Sequence, residues 1–440
     1  MRFLTLHIIT GMNKLQLVSI LLFFVQFIVL AQIPELIDSN TTASARKKFR
    51  ENIISNTIEK NLQLPLNREN EKHWMSAFWG MEFILYKNKD IESSIRKALN
   101  DYPNRTDEFN RTALEVAYTL YPNELIKEHE KILKQTSVPK HFAIAFSYLN
   151  RLKPSKYNQN HFEAFVRNNF QDWQDNPILF MLYSKLFYSH NNLPRPSLVD
   201  LFSHNFGEGK TILFSLQRKN RDYPGLLLIR KPDGKFLRID NGYIFHVSQL
   251  ARSINNLPGF LTNGNTPQGI FSIQGIDTSQ NVFIGRTPNI QLVLPYEVDA
   301  KKFLHTNDNF EWDKNLYKSL LPVSWRNYTS IYEAFYAGKA GRNEIIAHGT
   351  TIDLDFYAGQ PYYPHTPTLG CLCTVEIWST EDGKRVYSDQ AVLINEMKKL
   401  NTINGYLVVV EIDDKSSAVT LNDILPDVLH AEKFFVKLKE

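Results

Sequence analysis

Cys371 and Cys373 are the only two cysteines among 440 residues, and they sit in the stretch Thr368-Leu369-Gly370-Cys371-Leu372-Cys373. Upstream, His348-Gly349 closes a short apolar run. A thiol is a poor nucleophile until it loses its proton. An imidazole can take that proton and then, as a cation, hold the thiolate. Gly370 leaves the backbone free to turn, so that successive N–H groups can face a developing oxyanion. These residue types in this order point to nucleophilic thiol catalysis, with Cys371 as nucleophile and His348 as base. His365, in the polar loop between them, is the rival base. Cys373 falls on the same strand face as Cys371 by alternation and is expected to pack beside the site. His246 and His305 show no metal-ligand spacing, and no glycine-rich phosphate loop occurs. No cofactor is inferred.

The cysteine count gains weight from the N-terminus. Arg2 and Lys14 precede an apolar stretch from Leu15 to Ala31, which ends Val29-Leu30-Ala31 before polar Gln32. That order is the one of a secretory signal covering residues 1–31. An uncleaved anchor is the alternative, since about 17–25 apolar residues can span a bilayer. Both place the remainder outside the cytoplasm, in a periplasm or cell envelope, where cysteines usually pair. Two residues apart on an extended strand, the Cβ atoms of Cys371 and Cys373 would lie roughly 6.6 Å apart. A disulfide needs about 3.5–4.5 Å. A free thiol kept in such a compartment is better explained by reactivity than by structure.

The elements that must hold these residues divide by glycine usage. Between Gln32 and Phe206 there is one glycine, Gly80, and from Gly207 onward there are seventeen. Trp74, Phe78, Met81 and Leu85 fall on one helical stripe, and Ile91, Ile95 and Leu99 continue a similar one. Tyr-Pro-Asn at 102–104 and again at 121–123 punctuates what reads as stacked helical hairpins. Further helices are expected around 142–152 and 178–187. Past Gly207 the pattern turns to short β-branched runs at 211–216, 226–230, 236–239, 282–284, 290–294, 345–348, 372–378 and 406–412, with helices at 325–337, 391–400 and 421–439. The expected architecture is multi-domain. An α-helical domain at 32–200 precedes a β-rich domain at 207–412, all-β or α+β with a mixed sheet, and a helical tail follows at 413–440. The net charge of +4, without a basic run, leaves nucleic acid aside as a partner.

The segment from His348 to Cys373 resembles the YkuD-like L,D-transpeptidase family. That family's motif is a histidine, a spacer, then Ser/Thr-His-Gly-Cys, an apolar residue and Asn or Arg. His348, Thr368, Gly370, Cys371 and Leu372 match it. Thr266-Pro267-Gln268-Gly269-Ile270-Phe271 resembles the family's Thr-Pro-x-Gly-x-Phe stretch on the substrate side of the sheet. The resemblance covers about 207–412 and leaves the helical part uncovered. It departs at Leu369, where the family has histidine, and at Cys373, where it has Asn or Arg; Arg342 or Arg385 could supply the missing positive charge. The resemblance implies that Cys371 attacks a peptidoglycan stem peptide to form cross-links or attach proteins. It also implies that the Gly349 carbonyl orients His348, that the N–H groups of Gly370 and Cys371 bind the oxyanion, and that Thr266, Gly269 and Thr368 lie on the substrate side. With water as acceptor the same chemistry makes a carboxypeptidase. The contrasting expectation, favoured by positions 369 and 373, is a catalytically impaired wall-binding or scaffolding module whose helical half docks a protein partner. A thiol–disulfide enzyme or cysteine peptidase using both cysteines is a third.

Overall fold

The computed structural model describes residues 36–188, 194–207, 209–400 and 404–437; the signal-like segment lies outside them. Among the described residues no helix is long and apolar enough to cross a membrane.

The first half is helical, as the apolar stripes require. Helices run over Glu71–Phe83, Lys89–Asn100, Asp107–Leu120, Ile126–Gln135 and Pro139–Leu152, followed by Gln159–Asn169 and Pro177–Tyr183. Side-chain caps start several of them: Asn88 accepts from Ile91 N–H, Thr106 from Phe109 N–H and Asn158 from His161 N–H, each satisfying a donor that the helix leaves orphaned. Trp74, Phe78 and Met81 are buried together with Ile91, Ile95 and Leu99. Leu85 breaks the first stripe, because the helix stops at Phe83 and Leu85 takes a left-handed φ of 50°.

The second half is built on strands β1 (Thr211–Arg218), β2 (Gly225–Arg230), β3 (His246–Gln249), β4 (Gly269–Thr278), β5 (Pro288–Val293), β6 (Ile346–Gly349), β7 (Leu372–Thr374), β8 (Glu376–Trp378), β9 (Arg385–Ser388) and β10 (Gly405–Asp413). Eight of them form one sheet in the order β3-β2-β1-β10-β4-β5-β6-β7, and β8 and β9 form a separate pair. The sheet is mixed, since β1 runs parallel to β10 and β6 parallel to β7. Its two edges meet: Leu250, just past β3, exchanges both backbone hydrogen bonds with Cys373 on β7 at 2.8 Å. The sheet is therefore curled into a nearly closed barrel, which removes an edge that would otherwise invite pairing with another chain. Inside one face pack Leu213, Phe271, Ala347, Leu372 and Val409, closed by Leu393 and Met397 of the helix Asp389–Lys399. On the opposite face Phe214, Val408 and Ile270 meet Phe202, Phe335 and Val428 from flanking helices.

Several expectations are corrected here. The run 282–284 is a turn between β4 and β5 rather than a strand. The run 372–378 is two strands belonging to two sheets, and 236–239 makes only isolated bridges. The helix expected over 325–337 starts at Glu333, after two 3-10 turns. The C-terminal helix, expected over 421–439, runs over Leu425–Lys437 and is packed on the sheet domain, with Val428 and Ala431 fully buried. Nor does the helical half keep a core to itself. One continuous apolar cluster joins Trp74, Phe78, Phe109 and Phe142 to Leu250, Leu257, Phe260, Tyr357 and Cys373.

Candidate functional site

Side chains alternate along a strand, so the pairing of β6 with β7 fixes which residues share a face. His348 is opposite Cys373, and Ala347 opposite Leu372. Ala347 and Leu372 point into the apolar interior. His348, Cys373 and Cys371 thus share the other face, the one the helical half covers. Cys371, one strand over and two residues back, lies roughly 8 Å along the diagonal from His348, from the strand spacing and rise alone. The imidazole is buried, at 4% exposure, while Cys371 remains partly exposed.

The histidine is held by its own strand end. His348 Nδ1 lies 2.5 Å from the Gly349 carbonyl oxygen. A carbonyl can only accept, so Nδ1 carries the proton and Nε2 is the basic side of the ring. Gly349 is glycine for lack of space: a Cβ there would fall 2.9 Å from Thr287 Oγ1 and 3.0 Å from Glu376 Cβ. Glu376 is fully buried against Ser388 Oγ at 2.5 Å and Arg385 Nη1 at 3.4 Å. Arg385 is thereby committed beneath the histidine strand.

The cysteine sits on a built turn. Gly370 has φ 112°, a conformation that favours glycine. Thr368 Oγ1 accepts from Gly370 N–H at 3.0 Å and donates to Cys371 O at 2.9 Å. Thr266 Oγ1 donates to Gly370 O at 2.9 Å. Both threonine hydroxyls are therefore spent on the cysteine turn, and the Gly370 N–H is occupied rather than open to an oxyanion. Gly269 lies elsewhere. It starts β4 beneath Tyr317 and Ala334, where a Cβ would come within 2.6 Å of the Tyr317 hydroxyl, so it serves packing.

Sequence reasoning could not choose between the two arginines, and the geometry chooses Arg342. It is buried and donates to the carbonyls of Gly259, Gly264 (2.6 Å) and Asn265 (2.8 Å). Its guanidinium stands against Gly370 and favours a charge on Cys371. Nearby, Glu344 takes a left-handed φ of 60°, which is uncommon for a residue with a side chain. Its carbonyl accepts from the Cys371 thiol at 3.7 Å, and Ile346 N–H approaches Sγ at 3.5 Å.

Burial pushes the Cys371 thiol up, opposed by the Ile346 N–H and by Arg342. Burial pushes His348 down to about 4, opposed only by its bond to Gly349. The resting pair is a neutral thiol beside a neutral imidazole, with the thiol turned to Glu344. Cys373, fully buried and pushed up to about 12 by burial, is part of the core. His365 is buried against the backbones of Ser248 and Tyr362 and pushed down to about 4 by burial. Leu369 is exposed at the turn. Among the described residues no group of three or more His, Cys, Asp or Glu could hold a metal ion.

The chain matches no family model, no curated protein and no solved structure.

Proposed function

We propose that this chain is an exported cysteine acyltransferase of the L,D-transpeptidase type, acting on peptidoglycan stem peptides. The observation that carries the reading is that Cys371 immediately precedes β7, the strand paired in parallel with the one that bears His348, with His348 Nδ1 tied to the Gly349 carbonyl. In the reaction the Cys371 sulfur forms a bond to the stem-peptide carbonyl, and the bond from that carbonyl to the terminal D-amino acid breaks. The thiol proton passes through His348 Nε2 to the leaving amine. The amine of a second stem, or of a protein lysine, then attacks the thioester and returns its proton to sulfur. Water in that role gives a carboxypeptidase.

A second reading is favoured by a specific observation. The Gly370 N–H is occupied by Thr368 and the thiol is turned away from His348, as in a wall-binding module that has lost turnover. A carbapenem separates the two. Its lactam C–N bond opens as the sulfur–carbon bond forms, and the thiol proton moves to the released nitrogen. Intact mass spectrometry should show one adduct per chain on the wild type and none on Cys371→Ala. A reduced wild-type thiol that stays unmodified would move the conclusion to the binding module.

A further inference from the structure

At a seam between the helical half and the barrel, a cleft of about 380 Å³ opens, within the roughly 300–1,000 Å³ typical of small-ligand sites. Phe180 comes from the helical half, and Lys314, Lys318, Arg326, Tyr332 and Tyr336 from the segment before β6. No carboxylate lines it. The Lys314 ammonium stands 5.4–5.8 Å from the ring centroids of Tyr332, Phe180 and Tyr336, so aromatic faces hold it in place. Arg326 Nε is held by the Leu321 carbonyl at 3.2 Å. Among the described residues none of the three cations forms a salt bridge. The nearby acids are engaged elsewhere. Asp313 accepts from Leu316 N–H at 2.6 Å, and Glu333 accepts from Gly259 and Gln268 N–H and pairs with Lys185.

Three cations with no salt bridge among the described residues, lining one cleft with aromatic rings and with Asn315 and Asn327, fit a ligand that combines one negative group with a ring bearing hydroxyls. We propose that this cleft binds an acidic saccharide. The negative group takes Lys314, Lys318 and Arg326, and the sugar ring lies against the aromatic side. The cleft shares no lining residue with the Cys371 turn and does not depend on the acyl-transfer reading.

The test is isothermal titration calorimetry of the intact chain with glucuronic acid, glucose 6-phosphate, glucose and inorganic phosphate. At least one of the two acids should bind saturably, with glucose at least tenfold weaker. Lys314→Gln/Lys318→Gln should weaken that acid at least tenfold while the melting temperature stays within a degree or two; Lys318→Gln alone, at a partly exposed position, gives the same readout if the double variant misfolds. Binding of glucuronic acid alone assigns a carboxylated sugar, and of glucose 6-phosphate alone a phosphorylated one. Three results overturn the proposal: no binding of either acid, binding unaffected by the variants, or inorganic phosphate binding as tightly as glucose 6-phosphate.

Discussion

Arg342 is the residue on which the candidate nucleophile depends, and it does two separable things. Its fork satisfies three buried carbonyls of the 259–265 loop, and its charge favours the ionised form of Cys371. Hydrogen bonds to a charged group are worth about 1.5–3 kcal/mol each, and unsatisfied buried carbonyls carry their own cost. Arg342→Met should therefore destabilise the fold by about 3 kcal/mol or more and raise the thiol pKa further. Arg342→Lys keeps the charge but loses the planar fork. It should be destabilised almost as much while holding the thiol closer to its wild-type value. Iodoacetamide labelling of Cys371 against pH reads the second effect, because only the thiolate reacts. A purely structural arginine would leave the labelling midpoint of the folded protein unmoved in both variants. The candidate pair Cys371 and His348 was chosen from the sequence because thiol chemistry would need those types near a glycine turn, and the strand that bears His348 lies beside the one that follows Cys371. Arg342 was only one of two candidates, since nothing local to it signals a destination set by a loop some eighty residues earlier.

At the scale of elements, the cysteine turn and the histidine strand are set by different rules. Strand register puts the two side chains on one face, whereas the turn is fixed by close approach. A Cβ on Gly370 would fall on the Arg342 guanidinium and within 2.6 Å of Gly264 O, in a backbone conformation already costly for any other residue. Gly370→Ala should thus cost roughly 3 kcal/mol, from the left-handed backbone and overpacking together. Denaturant unfolding measures that loss. The same displacement of Arg342 should slow Cys371 labelling at a pH where the variant is still folded. Unchanged stability would mean that the turn relaxes freely and is not a built feature. Much of the sheet was readable because β1, β2, β5 and β10 are short, mostly apolar runs. The long strand β4 was not read as a strand, since Gly269 and Gly275 interrupt it and its register shifts between Ile273 and Gly275. Short β3 and β9 owe their state to their neighbours rather than to their own sequences. The 282–284 run looked like a strand by composition, but it is the tip of the β4–β5 hairpin, where Phe283 instead packs against Phe49, Trp79 and Phe83 of the helical half.

That contact belongs to the whole molecule, whose two halves share one continuous apolar cluster. Tyr357 donates to the Phe83 carbonyl at 2.7 Å, Lys140 to Thr262 at 2.9 Å and Asn263 to Glu115 at 3.1 Å. Composition divided the chain correctly into helical and β-rich parts but gave no warning of this, because apolar helix faces look the same whether they meet another helix or a barrel. The seam also carries a strained charge arrangement. Glu82 is buried, accepts from Thr119 Oγ1 at 2.5 Å, and is pushed up to about 8 by burial and by the neighbouring Glu115. Glu115 itself is held by Arg111, at 2.8 Å to both carboxylate oxygens. The folded chain thus keeps a proton on Glu82 that the unfolded chain releases above its ordinary value of 4.5. Between pH 4.5 and 8 the native state binds more protons at this position, so its contribution to stability falls as pH rises. Glu82→Gln needs no proton, and its side-chain oxygen can still accept from Thr119. The variant should match the wild type near pH 4 and exceed it by about 3 kcal/mol at pH 7, at roughly 1.4 kcal/mol per pH unit. Thermal or denaturant unfolding of the two proteins at pH 4, 5.5, 7 and 8 gives the comparison. A gap that widens with pH identifies Glu82 as a proton carried into the fold at the seam. A gap that is constant with pH would show the carboxyl to be ionised in the native state, stabilised by Arg111 despite its burial.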